Sequence, residues 1–161
     1  MVVQHEFVQV AHRVVWCTVA TVDRRGRPRS RVMHPIWETA PDGTLTGWVT
    51  ARRTSLKVAH LAHTPFVSCS YWSPDHDTAV AECGARWEAD LAETQRVWEL
   101  CRTAPAPLGH DPAAIWPDGP ASADAGLLRL DPWRLRVLLL ADLTAGRPGR
   151  SWHAQETSAA A

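Results

Sequence analysis

Two stretches of this chain combine residue types and spacings that could do chemistry. In the first, Arg29-Ser-Arg-Val-Met-His-Pro-Ile-Trp37, extended backbone would alternate Arg29 and Arg31 with Ser30, Val32 and His34, aiming guanidinium groups at one surface. Guanidinium forks match phosphate and carboxylate ligands, although a solvated strand face would show the same alternation. The second stretch, Thr50-Ala-Arg-Arg-Thr-Ser-Leu-Lys57, runs from a strand end into a helix start and sets three basic residues beside the hydroxyls of Thr54 and Ser55. First-turn amides together with Ser55, Lys57 and an arginine would make an anion site. Basic residues at that end oppose the helix dipole, so the arrangement is favourable chiefly when an anion sits there.

Other chemistries lack their residues. Neither stretch has the glycines of a Walker loop or a dinucleotide fingerprint, and no Gly-x-Ser-x-Gly elbow occurs. No cysteine has a local context that would activate its thiolate. His60 and His63, three apart on a helical stretch, could join His34 or His76 around a metal. Eight histidines in 161 residues give such a pair readily and no carboxylate-rich segment accompanies it, so no metal is expected. The same histidines could serve a haem iron. Of nine tryptophans, Trp37, Trp48 and Trp72 could stack on a flat ring, or else fill the core. No catalytic side chain is assigned.

The composition fits one domain: 45% of residues are apolar and 21% charged, and a chain of this length buries roughly 68–70% of its unfolded surface. Seventeen basic residues balance seventeen acidic ones, so no global field draws nucleic acid or an anionic membrane. The longest aliphatic run, at 137–141, is far short of the roughly 20 residues of a membrane span. The first ten residues lack the basic start and apolar core of a signal peptide, and a cytoplasmic location is expected. Cys17, Cys69, Cys83 and Cys101 show no Cys-x-x-Cys pair and lie in apolar stretches, as buried thiols of a reducing compartment do.

Elements must position these residues. Strands are expected at 13–22, 28–37 and 44–50, joined by the turns Asp23-Arg24-Arg25-Gly26 and Ala40-Pro41-Asp42-Gly43. A helix follows from an N-cap at Thr54 and stops at Pro65, after which 66–72 and 78–88 read as a hairpin. Leu91, Thr94, Trp98 and Cys101 share one face of a helix over 89–102. Residues 104–125 form a long Pro-rich loop, in which His110, Asp111 and Trp116 could form a lid or reach the pocket of a partner subunit, or which could be mere connection. Strands at 127–130 and 133–140 complete a mainly β (α+β) antiparallel barrel of six or seven strands with two or three helices. The domain is placed at 1–142, with a poorly ordered tail over 143–161.

Several of these segments, in this order, resemble the pyridoxamine 5'-phosphate oxidase-like family of flavin-binding split barrels. The carriers are Ala20-Thr-Val-Asp-Arg-Arg-Gly-Arg-Pro28, Arg31-Val-Met-His-Pro-Ile-Trp37, Gly47-Trp-Val-Thr50, Ser55-Leu-Lys57 and Thr64-Pro-Phe-Val67. The resemblance implies a split barrel that binds FMN, with Arg31, Val32 and Met33 near the flavin, Val49 and Thr50 beside the ring, and Ser55 and Lys57 at the phosphate. Arg52, and more weakly Arg53, are further candidates. It also implies a homodimer with cofactor at the subunit interface and an oxidoreductase acting on a small, flat molecule. The sequence departs from the pyridoxal-forming oxidases after Trp133, Arg134 and Arg136, where a loose tail replaces their substrate-binding end. The wider family includes deazaflavin-dependent reductases and non-catalytic flavin- or haem-binding proteins, and these are the alternatives. A deazaflavin would need a longer basic groove, which Arg52, Arg53 and Lys57 could begin.

Overall fold

The chain opens with a helix where no element was expected: in the computed structural model, which describes residues 2–154, α1 spans Val2–Val14. Val3, Phe7, Val10, Ala11 and Val14 recur at helical intervals and pack into the core as one stripe. Burial of that stripe outweighs the modest helix propensity of its valines. The helix ends at Val15, whose φ of 70° is costly for a β-branched residue. The first strand therefore starts at Cys17 and not at residue 13.

Eight strands follow: β1 Cys17–Val22, β2 Pro28–Met33, β3 Ile36–Thr39, β4 Leu45–Arg52, β5 Phe66–Trp72, β6 Thr78–Trp87, β7 Ala125–Leu138 and β8 Arg150–His153. Between them lie α2 Leu56–His63, α3 Leu91–Thr103 and α4 Leu140–Thr144. The sheet order is β2-β1-β5-β6-β7-β4-β3, with β8 on β7, and every pairing is antiparallel. The end strands β2 and β3 do not pair among the described residues, so the barrel is split, as expected.

Two boundaries differ from the sequence reading for reasons of proline chemistry. The single run expected at 28–37 is divided at His34-Pro35, because Pro35 has no amide to give a ladder and restricts the residue before it. The two strands expected at 127–130 and 133–140 are instead one, β7. Its register against β6 slips between Glu82 and Cys83, opposite Pro132, and this bulge lets the strand continue through a residue that cannot donate. Residues 143–154, where a loose tail was expected, form the end of α4, a turn and β8; residues 155–161 lie outside the described residues.

The main core gathers Phe7, Val19, Trp37, Tyr71, Leu130 and Leu135 between α1 and the inner sheet face, and all four cysteines are buried. Within it Trp37 Nε1 donates to Tyr71 Oη at 2.8 Å, and Phe7 meets the indole edge-on with centroids 4.8 Å apart. Gly47, paired with Trp37 across β3 and β4, gives the ring its room, since a Cβ there would lie 2.8 Å from it. A second cluster sets Val97 and Cys101 of α3 against Ile36, Trp48 and Leu127. Among the described residues no helix is long and apolar enough to cross a membrane.

The Trp37–Tyr71 bond predicts the effect of removing one hydroxyl. Tyr71→Phe strands a buried indole N–H and should lower unfolding stability by about 1–3 kcal/mol, read from denaturant titration.

Candidate functional site

The β1–β2 hairpin fixes the first half of the site. The Asp23 carboxylate accepts the amides of Arg25 and Arg27 at 2.9 and 3.0 Å and pairs with the Arg27 side chain, which holds its pKa well below the usual carboxylate range. Arg29 also turns toward Asp23, at 3.4 Å. Of the two alternating arginines, only Arg31 is left without a carboxylate. Its Nη1 donates to Thr21 Oγ1 at 2.8 Å and to the Arg29 carbonyl at 2.9 Å, and Thr21 in turn contacts His60 Nδ1 at 2.9 Å. Strand neighbours thus aim this guanidinium without neutralising it.

The start of α2 supplies the second half. Its N-cap is Ser55 and not Thr54, because the Thr54 amide and hydroxyl both donate to Asp124, at 3.0 and 2.7 Å. Asp124 also accepts Arg52 at 2.7 Å, and together these contacts hold its pKa down. Ser55 Oγ donates to the Arg52 carbonyl and accepts from Lys57 Nζ, each at 2.7 Å. Lys57 is the one lysine among seventeen basic residues. Burial, then the nearby charge of Arg31, hold its pKa below the ordinary lysine value, with Asp124 opposing. Arg53 faces elsewhere, over the Trp87 ring at 5.5 Å and bonded to the Ala125 and Glu88 carbonyls.

Two cavities meet at this cation pair. One, of about 540 Å³, is lined by Arg31, Val32, Met33, Val49, Thr50, Arg52 and Lys57 together with Val15, Trp16, His34 and the loop after α3. The other, of about 510 Å³, is lined by Ser55, Arg31, Lys57, Arg29, Ser30, Leu56 and His60. All eight expected residues therefore border adjoining spaces of ligand size. The expected stacking tryptophans do not. Trp37 and Trp48 are buried, Trp48 donating to Glu38, and Trp72 lies exposed beside His76. Trp16 and Trp116 line the first cavity instead. His60 is engaged with Thr21, and no metal-holding cluster occurs among the described residues.

The loop after α3 is anchored at two points. Leu108 is buried against the α3 cluster, and Trp116 packs on Trp98 with ring centroids 6.1 Å apart. Between them Gly109 passes so close to the Ala104 carbonyl that a Cβ would lie 2.0 Å from its oxygen. His110 then meets His34 with centroids 4.3 Å apart, and Trp16 covers His34 at 5.0 Å. The Leu108 carbonyl bonds to both imidazoles, while His34 Nε2 and His110 Nδ1 are buried without partners. Burial first, and the neighbouring His110 second, push the His34 pKa down to about 4. His110, Asp111 and Trp116 thus reach this chain's own cavity.

No family model matches the chain, and no curated protein does. Solved structures do. A pyridoxamine 5'-phosphate oxidase-related, FMN-binding protein from Nostoc punctiforme superposes with a TM-score of 0.62 at 14% identity, over 94% of this chain and 96% of that one. The chain has the fold of that family. An F420 reductase shares it, with a TM-score of 0.56 at 19% identity over 79% of this chain and 93% of that one. So does a haem-binding protein from Mycobacterium smegmatis, with a TM-score of 0.62 at 16% identity over 92% of this chain and 56% of that one. One fold carries three descriptions, so the fold alone assigns no cofactor.

Two predictions follow from the loop. His34 in the folded chain titrates near 4 against 6.5 when unfolded, so the unfolded chain binds the extra proton between those values. Its contribution to stability is full above pH 6.5 and lost as pH falls toward 4, and His34→Phe should flatten the fall in melting temperature across that window. Gly109→Ala should cost about 1–3 kcal/mol by forcing the loop off α3, measured by denaturant unfolding.

Proposed function

We propose that the chain binds FMN, with its phosphate on Arg31, Ser55 and Lys57 and its ring beside Val32, Met33, Val49 and Thr50, and acts as an oxidoreductase on a small molecule. The observation that carries this reading is the half-buried cation pair, Arg31 and Lys57, which makes no ion pair among the described residues and sits where an apolar-walled cavity opens into a second one. Two like charges drawn out of water and left unpaired are unfavourable until a dianion joins them. FMN presents a dianion at one end and a flat apolar ring at the other, which suits both spaces.

Once bound, the flavin ring supplies the hydride chemistry, so the protein's share is position and electrostatics. Arg31, steered by Thr21, and Lys57, steered by Ser55, neutralise the phosphate. The first-turn amides of α2 add donors there. Buried Met33 and Val49 exclude water from the ring.

The competing cofactors fit less well. Arg52 and Arg53, which would begin a groove for a polyanionic deazaflavin tail, are committed to Asp124 and to Trp87. The free positive charge is then the size of one phosphate. A haem would have to be held by His34, His110 or His60, whose ring nitrogens are buried or bonded to Thr21. Exposed Val32 and Leu56, which border the two cavities, give apolar surface for a second copy, and a cytoplasmic homodimer with the cofactor at the subunit interface is part of the reading.

Purified protein mixed with FMN should retain absorption bands near about 370 and 450 nm through gel filtration, eluting as a dimer. A colourless eluate would remove the flavin. Lys57→Ala should weaken FMN binding about tenfold or more while leaving riboflavin binding nearly unchanged, since only FMN carries the dianion; equal losses in fluorescence titration would take Lys57 out of the phosphate site.

A further inference from the structure

We infer that the substrate taken beside the flavin is an uncharged, flat, apolar molecule and not a phosphorylated one. The inference rests on the flavin reading above and concerns the part of the larger cavity that the cofactor does not claim.

Charge decides it first. The charged side chains lining that cavity are Arg31, Lys57, Arg52 and Asp111. The first two are taken by the cofactor phosphate, and Arg52 is paired with Asp124 at 2.7 Å. Among the described residues of this chain no lining cation remains for a second anion. What an incoming anion would meet is the Asp111 carboxylate, whose nearest cation, Arg102, stands 3.8 Å away on the α3 side. His34 and His110 do not change the balance, because burial keeps both imidazoles in the neutral form at neutral pH. A buried or half-buried anion without a counter-charge is strongly disfavoured.

The walls supply the attraction. Trp16 and Ile115 line the cavity yet remain 59% and 52% exposed, so each holds apolar surface toward open space. Neither is needed by the core clusters. An exposed indole beside two imidazoles in tilted contact binds a flat aromatic molecule by dispersion and by loss of water from both surfaces. Val15, just before Trp16, sits in the left-handed region, and that turn is what carries the indole to the cavity.

The test uses the FMN-loaded protein and three probes of one shape and different charge: 2-naphthol, 2-naphthyl phosphate and 2-naphthylmethylammonium, titrated by calorimetry at pH 7.5. The naphthol should bind at least about tenfold more tightly than the phosphate and more tightly than the ammonium. Trp16→Ala and, separately, Ile115→Asn should each weaken naphthol binding severalfold while the flavin absorption persists. Because both residues are exposed, their loss leaves the cores intact. A phosphate probe that binds as well as the naphthol, an ammonium that binds best, or naphthol affinity unmoved in both variants would overturn the inference while the flavin reading stands. Protein that takes up no flavin overturns both, and the visible spectrum before the titration tells the two failures apart.

Discussion

The shared strand β7 is the constraint on which the site depends. Along one edge it pairs with β6 from Leu128 to Leu138, and along the other it gives its first half to β4 and part of its second to β8. A fourteen-residue strand serving three partners must bend, and the slip opposite Pro132 is where it does so. Register then has a chemical result. Pairing Arg52 with Ala125 brings Asp124 beside Arg52 and Thr54, and the turn into α2 is tied down from outside its own sequence. Ser55 and Lys57 are placed by a residue nearly seventy positions away.

Ion pairing elsewhere throws the site into relief. Many arginines along the chain are matched with carboxylates: Arg96 with Glu38 and Glu93, Arg134 with Glu82, Arg150 with Glu6 and Asp142. Exposed pairs of this kind add little stability each. Their value here is contrast, because the two cations that line both cavities, Arg31 and Lys57, make no such pair among the described residues. Arg31 is held by neutral oxygens and Lys57 by a hydroxyl, an arrangement that fixes direction without cancelling charge.

Much of this was legible in the residues. Alternation in β2 and the basic, hydroxyl-rich entry to α2 pointed to Arg31, Arg52, Ser55 and Lys57, because those signals are local, while Val32, Met33, Val49 and Thr50 came only with the family resemblance. What escaped was non-local or contradicted propensity. The valine-rich start of α1 looks like strand, and only the core that its stripe meets makes it a helix. Asp124 carries no mark of its role beyond being one Asp in a Pro-rich loop. Trp16 and Trp37 are the same residue type, and only the turn at Val15 and the small Gly47 decide which lines the cavity and which fills the core. That Lys57 stands alone among sixteen arginines was visible in the composition, and it is the signal that sets it apart.

The solitary lysine also gives chemical access. Its side chain is the sole lysine amine in the chain, half-buried, and shifted toward the neutral, nucleophilic form. Amine-directed acylation would therefore place a single side-chain label, and would place it between the two cavities. A ligand seated there shields the amine, so the rate of labelling itself reads occupancy without any engineered cysteine, in a protein whose own four thiols are all buried.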